Sequence, residues 1–214
     1  MEYFGMDTYF RVFQRPFPHQ TLFKIKTIDF IIPCRDFVHL LHEISMVFTL
    51  PRVTMQNHLE KVIDRYNENQ DKFKFLEEMI LTEQTDDNSP LITALLQLRR
   101  WHLQFFLEYF EGICNDELLQ EDTSIIAKFA YSNTLEPTHG WFLKLCYNLM
   151  ICLFPKRTQF INKLGFSKEN MQEFVLEDMH EFTFNLRCCA NYLQHIYLVN
   201  GLEVLPRKKK MKIS

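Results

Sequence analysis

The chain has 214 residues, 47% of them apolar, and a formal net charge of −3. That length suits one generous domain, and the mild acidity excludes a general attraction to nucleic acid. Five glycines against 21 phenylalanines leave little material for phosphate-cradling loops or tight hairpins and a great deal for a core.

The first residues, MEYFGMDTYFRVF, lack a basic start followed by an unbroken apolar run, so no signal peptide is expected. Residues 1–30 carry phenylalanine and proline without a helical stripe and read as an N-terminal extension. From there helical periodicity takes over. Phe37, Leu40, Leu41, Ile44 and Phe48 form one stripe, and Pro51 ends or redirects it. Leu59, Val62, Ile63 and Tyr66 form the next; Phe73, Leu76, Met79 and Ile80 form a third. The polar segment TEQTDDNSP (82–90) is a loop, with Ser89-Pro90 placed to start a long helix marked by Leu91, Leu95, Leu98, His102, Phe105, Tyr109 and Ile113. Asp122-Thr123-Ser124 caps a helix to about Leu135. Pro137 and Gly140 then break the chain, and the spacing predicts a helix from Trp141 to Phe154, stopped by Pro155. A short helix ends at Gly165, and a last long stripe runs from Met171 to Ile196.

No alternating strand emerges. The expected fold is all-α, seven or eight helices packed as layers, with the main domain over 31–205 and a basic tail at 206–214. Several helices are apolar on more than one face, as suits a sandwiched core or the wall of a cavity for a lipid chain. The longest apolar run, Leu149 to Phe154, falls far short of the ~20 residues of a membrane span. The six cysteines, at 34, 114, 146, 152, 188 and 189, show no CxxC and read as free thiols in a reducing cytosol.

Motifs for chemistry are sparse. His39-x-x-His42 puts two histidines one turn apart, but no third ligand is visible, so no metal and no cofactor is expected. No nucleophile elbow or Walker loop occurs. The group Arg99-Arg100-Trp101-His102 has the charge to hold an anion and the ring to stack on a planar group, though on its own such a group is more often a half-exposed helix face.

Combined in order, MVFT (46–49), LEKVIDRYNENQDKF (59–73), GIC (112–114), AYSNTLEPTHGW (130–141) and FPKRTQFINKL (154–164) resemble the glycolipid transfer protein superfamily over roughly residues 36–203. The resemblance implies a two-layer all-α sandwich of about eight helices. It implies a carrier or sensor that holds one sphingolipid, head group on the surface and chains in an apolar tunnel, with no catalytic residues. His139 matches the family histidine that hydrogen-bonds the ceramide amide carbonyl, and Lys61 matches a head-group lysine. Thr54 stands where the family has an aspartate, and His58 where it has Asn or Lys. On the long helix the family's Trp or Arg positions fall on Gln97 and Thr93, or one residue later on Leu98 and Ala94; Arg100 lies a turn further on. Thr54, His58 and Arg100 join His139 and Lys61 as candidate contacts, with an anionic head group favoured. Trp141, Lys156 and Arg157 are the expected bilayer contacts. The implied partners are a sphingolipid and, transiently, a membrane, for a cytoplasmic monomer with no nucleic acid. The other implied role, given the missing aspartate, is a partner-binding scaffold on the same fold without lipid transfer.

Overall fold

The computed structural model describes residues 7–19, 24–83 and 90–203, apart from the side chain of Trp101. Eight helices make up this region and pack as a two-layer sandwich: α1 (Thr27–Ile44), α2 (Thr49–Glu68), α3 (Leu76–Glu83), α4 (Pro90–Cys114), α5 (Ser124–Thr134), α6 (Trp141–Ile151), α7 (Arg157–Leu164) and α8 (Gln172–Val199). Most of the loop at 82–90 and the basic tail at 206–214 lie outside the described residues.

Local chemistry sets the boundaries. Helix α1 begins at Thr27, four residues before the boundary expected at 31, because the Thr27 backbone N–H and hydroxyl both find acceptors on the segment before α3, Lys74 O at 2.9 Å and Phe73 O at 2.6 Å. Pro33 sits inside this helix, where its missing N–H would have met Asp29 O. Ser45 Oγ accepts from Val47 N–H and starts a 3-10 turn at Met46–Phe48. Pro51 therefore falls in the first turn of α2, where backbone N–H groups have no helical partner to lose. Helix α6 ends at Ile151 rather than Phe154.

The long α4 is not uniform. A π-helical segment at Leu98–Leu103 separates the α-helical turns Pro90–Gln97 and Gln104–Cys114, and a widened turn of this kind often marks a functional site. Near its end α4 approaches α5 so closely that a Cβ on Gly112 would lie 2.3 Å from Ile126 Cγ2. Only glycine fits there without moving a β-branched neighbour.

Aromatic rings fill the centre. Phe37 of α1 meets Phe106 and Phe110 of α4 edge to face at 5.5 and 6.0 Å, and Phe182 of α8 at 5.5 Å. Phe48 continues the row from Phe106 to Phe154, at 5.4 and 5.0 Å. Each such ring fully buried contributes roughly 3–5 kcal/mol against truncation to alanine.

One polar residue is out of place in this interior. His102, in the π-helical segment, is buried, and neither ring nitrogen has a hydrogen-bond partner among the described residues. Burial, then the nearby His58, pushes its pKa down to about 3, while an unfolded histidine titrates near 6.5. The unfolded chain thus takes up this proton first as pH falls. Stability declines from about pH 6.5 towards 3, by up to about 1.4 kcal/mol per pH unit. Burial lowers His58 and His139 in the same direction. Denaturant unfolding at a series of pH values is expected to show this acid-side slope. His102→Leu is expected to keep neutral-pH stability and to flatten the slope; a slope unchanged by the substitution would assign the titration elsewhere.

Candidate functional site

The chain between α5 and α6 places His139. Glu136-Pro137-Thr138 forms a 3-10 turn, and His139 follows it in extended conformation with only 9% of its surface exposed. Tyr131 Oη lies 3.1 Å from His139 Nδ1. The Tyr131 hydroxyl stays protonated, burial raising its pKa to about 12, and it can either donate to Nδ1 or accept from it. With Tyr131 donating to Nδ1, the neutral imidazole carries its own proton on Nε2. Tyr147 of α6 completes the setting, stacked on Tyr131 at 5.1 Å and tilted against His139 at 4.7 Å. Burial, then Lys144, lowers the His139 pKa, so the ring is uncharged near neutral pH and, in that tautomer, an oriented donor.

A second grouping lies on α2. Thr54, His58 and Lys61 follow at i, i+4 and i+7 and share one helix face. The Thr54 hydroxyl donates to Leu50 O and Pro51 O, each at 3.0 Å, which leaves its oxygen lone pairs for accepting. His58 is half-buried and brings its ring within 5.5 Å of His102 from α4. Lys61 is exposed and close enough to lower the His58 pKa by its charge, after the larger effect of burial.

Arg100 is engaged elsewhere. Its Nε lies 2.7 Å from Glu203, which also binds Arg99. This buried carboxylate between two guanidiniums comes from just beyond α8 and occupies the cationic pair with a partner from the chain itself. The stacking role considered for Trp101 falls on a side chain outside the described residues.

Trp141 is 79% exposed and begins α6. That helix is unusual. Of its eleven residues only Ile151 is buried, while Phe142, Leu143, Leu145 and Leu149 face outward, continued by Leu153. Met46 and Leu50, at the α1–α2 corner, add to the exposed apolar surface. A recess of about 420 Å³ lined by Ile44, Ser45, Leu153, Phe154 and Lys156 joins that corner to the end of α6. Apolar surface on this scale marks an interaction site more often than an accident of folding. No described helix is long and apolar enough to cross a membrane.

Lys156 is exposed beside this surface, but Arg157 is not. Expected to meet the bilayer, Arg157 is instead 4% exposed; it donates to Ile113 O at 3.0 Å and pairs with Asp116 at 3.5 Å. It holds the end of α4 to the start of α7, and its charge is spent inside.

Several contributors escaped the sequence reading. Glu203 has no local motif, and His102, named in the helix stripe, gives no local sign of its buried, unpaired setting among the described residues. Tyr147 lies inside a run, FLKLCYNLMICLF, whose uniform apolarity gives no phase from which to pick the inward side.

Comparison with known proteins now adds to this geometry. The family model for glycolipid transfer protein (GLTP) matches residues 25–166. Human pleckstrin homology domain-containing family A member 8 is 25% identical over 189 residues, 84% of this chain and 36% of that protein. The chain thus spans about a third of the length of such curated relatives. Glycolipid transfer protein of Xenopus tropicalis is 24% identical over 150 residues, 66% of this chain and 71% of that one. Among solved structures, FAPP2, described as selecting simple glycosphingolipids with the GLTP fold, superposes with a TM-score of 0.82 at 24% identity over 92% of this chain and 98% of that one. Human ceramide-1-phosphate transfer protein in complex with 12:0 ceramide-1-phosphate superposes with a TM-score of 0.75 at 16% identity, over 93% and 96%. With the family model covering well over half its length, the chain belongs to the glycolipid transfer protein family.

Proposed function

We propose that this protein takes one ceramide-based lipid from a membrane, holds its two chains in the aromatic interior, and releases it at another membrane. The observation that carries this reading is the neutral, Tyr131-oriented His139 at the foot of a helix that turns its apolar side chains outward. The two belong together. One positions a lipid's polar waist, and the other brings the protein to where lipids are.

The energetics define the task. Each CH₂ drawn from a membrane into water costs ~0.8 kcal/mol, so two long chains exposed together would cost ~20 kcal/mol or more. A carrier must return nearly all of it with dry apolar walls, and no bond is made or broken. The interior supplies such walls through Phe37, Phe106, Phe110 and Phe182.

In the proposed complex His139 Nε2–H donates to the ceramide amide carbonyl, and Thr54 Oγ1 accepts from the amide N–H. A neutral hydroxyl in place of a carboxylate weakens that second bond by ~1–2 kcal/mol. Lys61 faces the head group and favours an anion such as a phosphate, and His58, kept neutral by burial, offers a hydrogen bond beside it. Arg100 contributes less than its charge promises, because Glu203 already engages it. At the bilayer, Trp141 suits the interface, its indole apolar in body and polar at the N–H, and Lys156 meets anionic lipid.

Vesicle-to-vesicle transfer of fluorescent sphingolipids is expected to accelerate in the presence of the protein, most for phosphate-bearing ceramide. His139→Leu, which removes the donor, is expected to slow it by about tenfold, one hydrogen bond's worth. No acceleration for any ceramide-based lipid would favour the partner-binding scaffold and end the carrier reading.

Membrane contact is tested separately by vesicle sedimentation. Trp141→Ala is expected to reduce association by about tenfold or more, the cost of one large apolar contact. Lys156→Gln is expected to reduce it about fivefold on anionic vesicles only, near 1 kcal/mol per basic residue. Arg157→Gln is expected to leave association unchanged and to lower the melting temperature. Sedimentation indifferent to Trp141 would remove α6 from the membrane-facing role.

A further inference from the structure

Residues 7–19 form an extended limb outside the matched family region, yet they are built into the interior. Carboxylates hold the limb in place. Asp29 pairs with Arg15, Glu181 pairs with Arg11, and Glu43 accepts from Tyr9 Oη. Asp178 of α8, itself buried, accepts from Thr8 Oγ1 and Arg11 Nε, each at 2.7 Å. Asp36 of α1 accepts from Gln14 N–H at 2.7 Å. A backbone bond from Tyr9 N–H to Leu164 O at 2.9 Å ties the limb to α7 as well.

From this frame three phenylalanines reach inward. Phe10, Phe13 and Phe17 all pack on Phe182, at 4.9, 5.5 and 5.7 Å. Phe17 is fully buried and meets Phe37 at 6.5 Å, edge to face. Phe37 and Phe182 are members of the central aromatic row. That row starts at Phe154 and Phe48, beneath the exposed Leu153 and Met46, and runs through Phe106 and Phe37 to Phe182. Its near end therefore lies under the apolar surface proposed to meet the membrane, and its far end is the limb. A recess of about 190 Å³ remains between the three rings and α8.

We propose that residues 7–19 close the far end of the lipid-chain space, and that Phe10, Phe13 and Phe17 set the longest acyl chain the protein accepts. This rests on the carrier reading above. A chain that enters under Leu153 and Met46 and displaces the rings along the row runs out of room where the three phenylalanines begin. The limb's grip on Asp178 and Asp36 keeps that stop in place.

Chain length then becomes readable in equilibrium partition between vesicle and protein. Membrane and protein interior solvate a CH₂ alike, so partition stays flat while each added CH₂ finds an apolar place. It falls by about fourfold for each CH₂ left facing water.

The experiment uses the full chain and a ceramide-1-phosphate series in phosphatidylcholine vesicles, with the N-acyl chain lengthened stepwise from octanoyl to lignoceroyl. A break in the partition profile is expected for the natural sequence. Phe10→Ala and Phe13→Ala, at partly buried positions, are expected to move the break to longer chains while octanoyl partition stays the same. Arg11→Gln, which loosens the limb and leaves the aromatic core intact, is expected to shift the break the same way. Circular dichroism melts confirm that the variants are folded. Normal octanoyl partition with no break, or with a break at one length in all four proteins, overturns the proposed stop and leaves the carrier reading standing. No partition at any length overturns both.

Discussion

The packing of aromatic edges against aromatic faces between the two layers is the interaction on which the rest of this structure depends. Phe37 alone meets Phe17, Phe106, Phe110 and Phe182, from the limb, α4 and α8. Such contacts are each worth about 0.5–1.5 kcal/mol beyond the area they bury, and several geometries lie close in energy. An interior built this way is stable when closed, and its rings can turn aside for an apolar guest without leaving polar atoms unpaired. A core of interlocked branched side chains would resist the same guest, because its packing has fewer alternatives.

The second constraint is that α6 is left mostly exposed. Its sequence is apolar nearly all round, and the fold holds it through the buried Ile151 and the partly buried Tyr147 and Met150. The exposed remainder costs solubility in water and is the surface proposed to meet a membrane. It also surrounds the site that sequence comparison had emphasised: His139 precedes α6, and Tyr147 within α6 packs on its ring. The residue proposed to bind the lipid amide and the surface proposed to meet the bilayer are therefore parts of one local structure. The limb at residues 7–19 closes the opposite end, so the row of rings lies between an apolar surface and a fixed stop.

Much of this was legible in the chain because it is written in short-range patterns. Pro137 and Gly140 separate α5 from α6, since those residues act on their own backbone neighbours, whereas α1 already ends at Ile44, Pro51 lies within α2 and α6 stops at Ile151, short of Pro155. His139, Thr54, His58 and Lys61 were named through the family resemblance, and the three α2 residues share a face because helical spacing alone requires it. The misreadings came from distant partners. Arg157 looked like a surface cation until Ile113 O and Asp116, more than forty residues earlier, drew it inside. Arg100 looked available until Glu203, from beyond the last helix, claimed it. The apolar run of α6 carried no period, so its burial could not be told from its exposure, and a sandwiched or cavity-lining helix was expected where an outward-facing one stands. His102 belongs to an apolar stripe, and nothing local announces a buried imidazole that finds no hydrogen-bond partner among the described residues.

Native mass spectrometry of the protein purified from eukaryotic cells tests the central claim most directly. A mass increment of a single sphingolipid with two long chains per polypeptide is the result expected of a carrier. A protein that repeatedly emerges without lipid, and that takes none up from sphingolipid-containing vesicles, would contradict it.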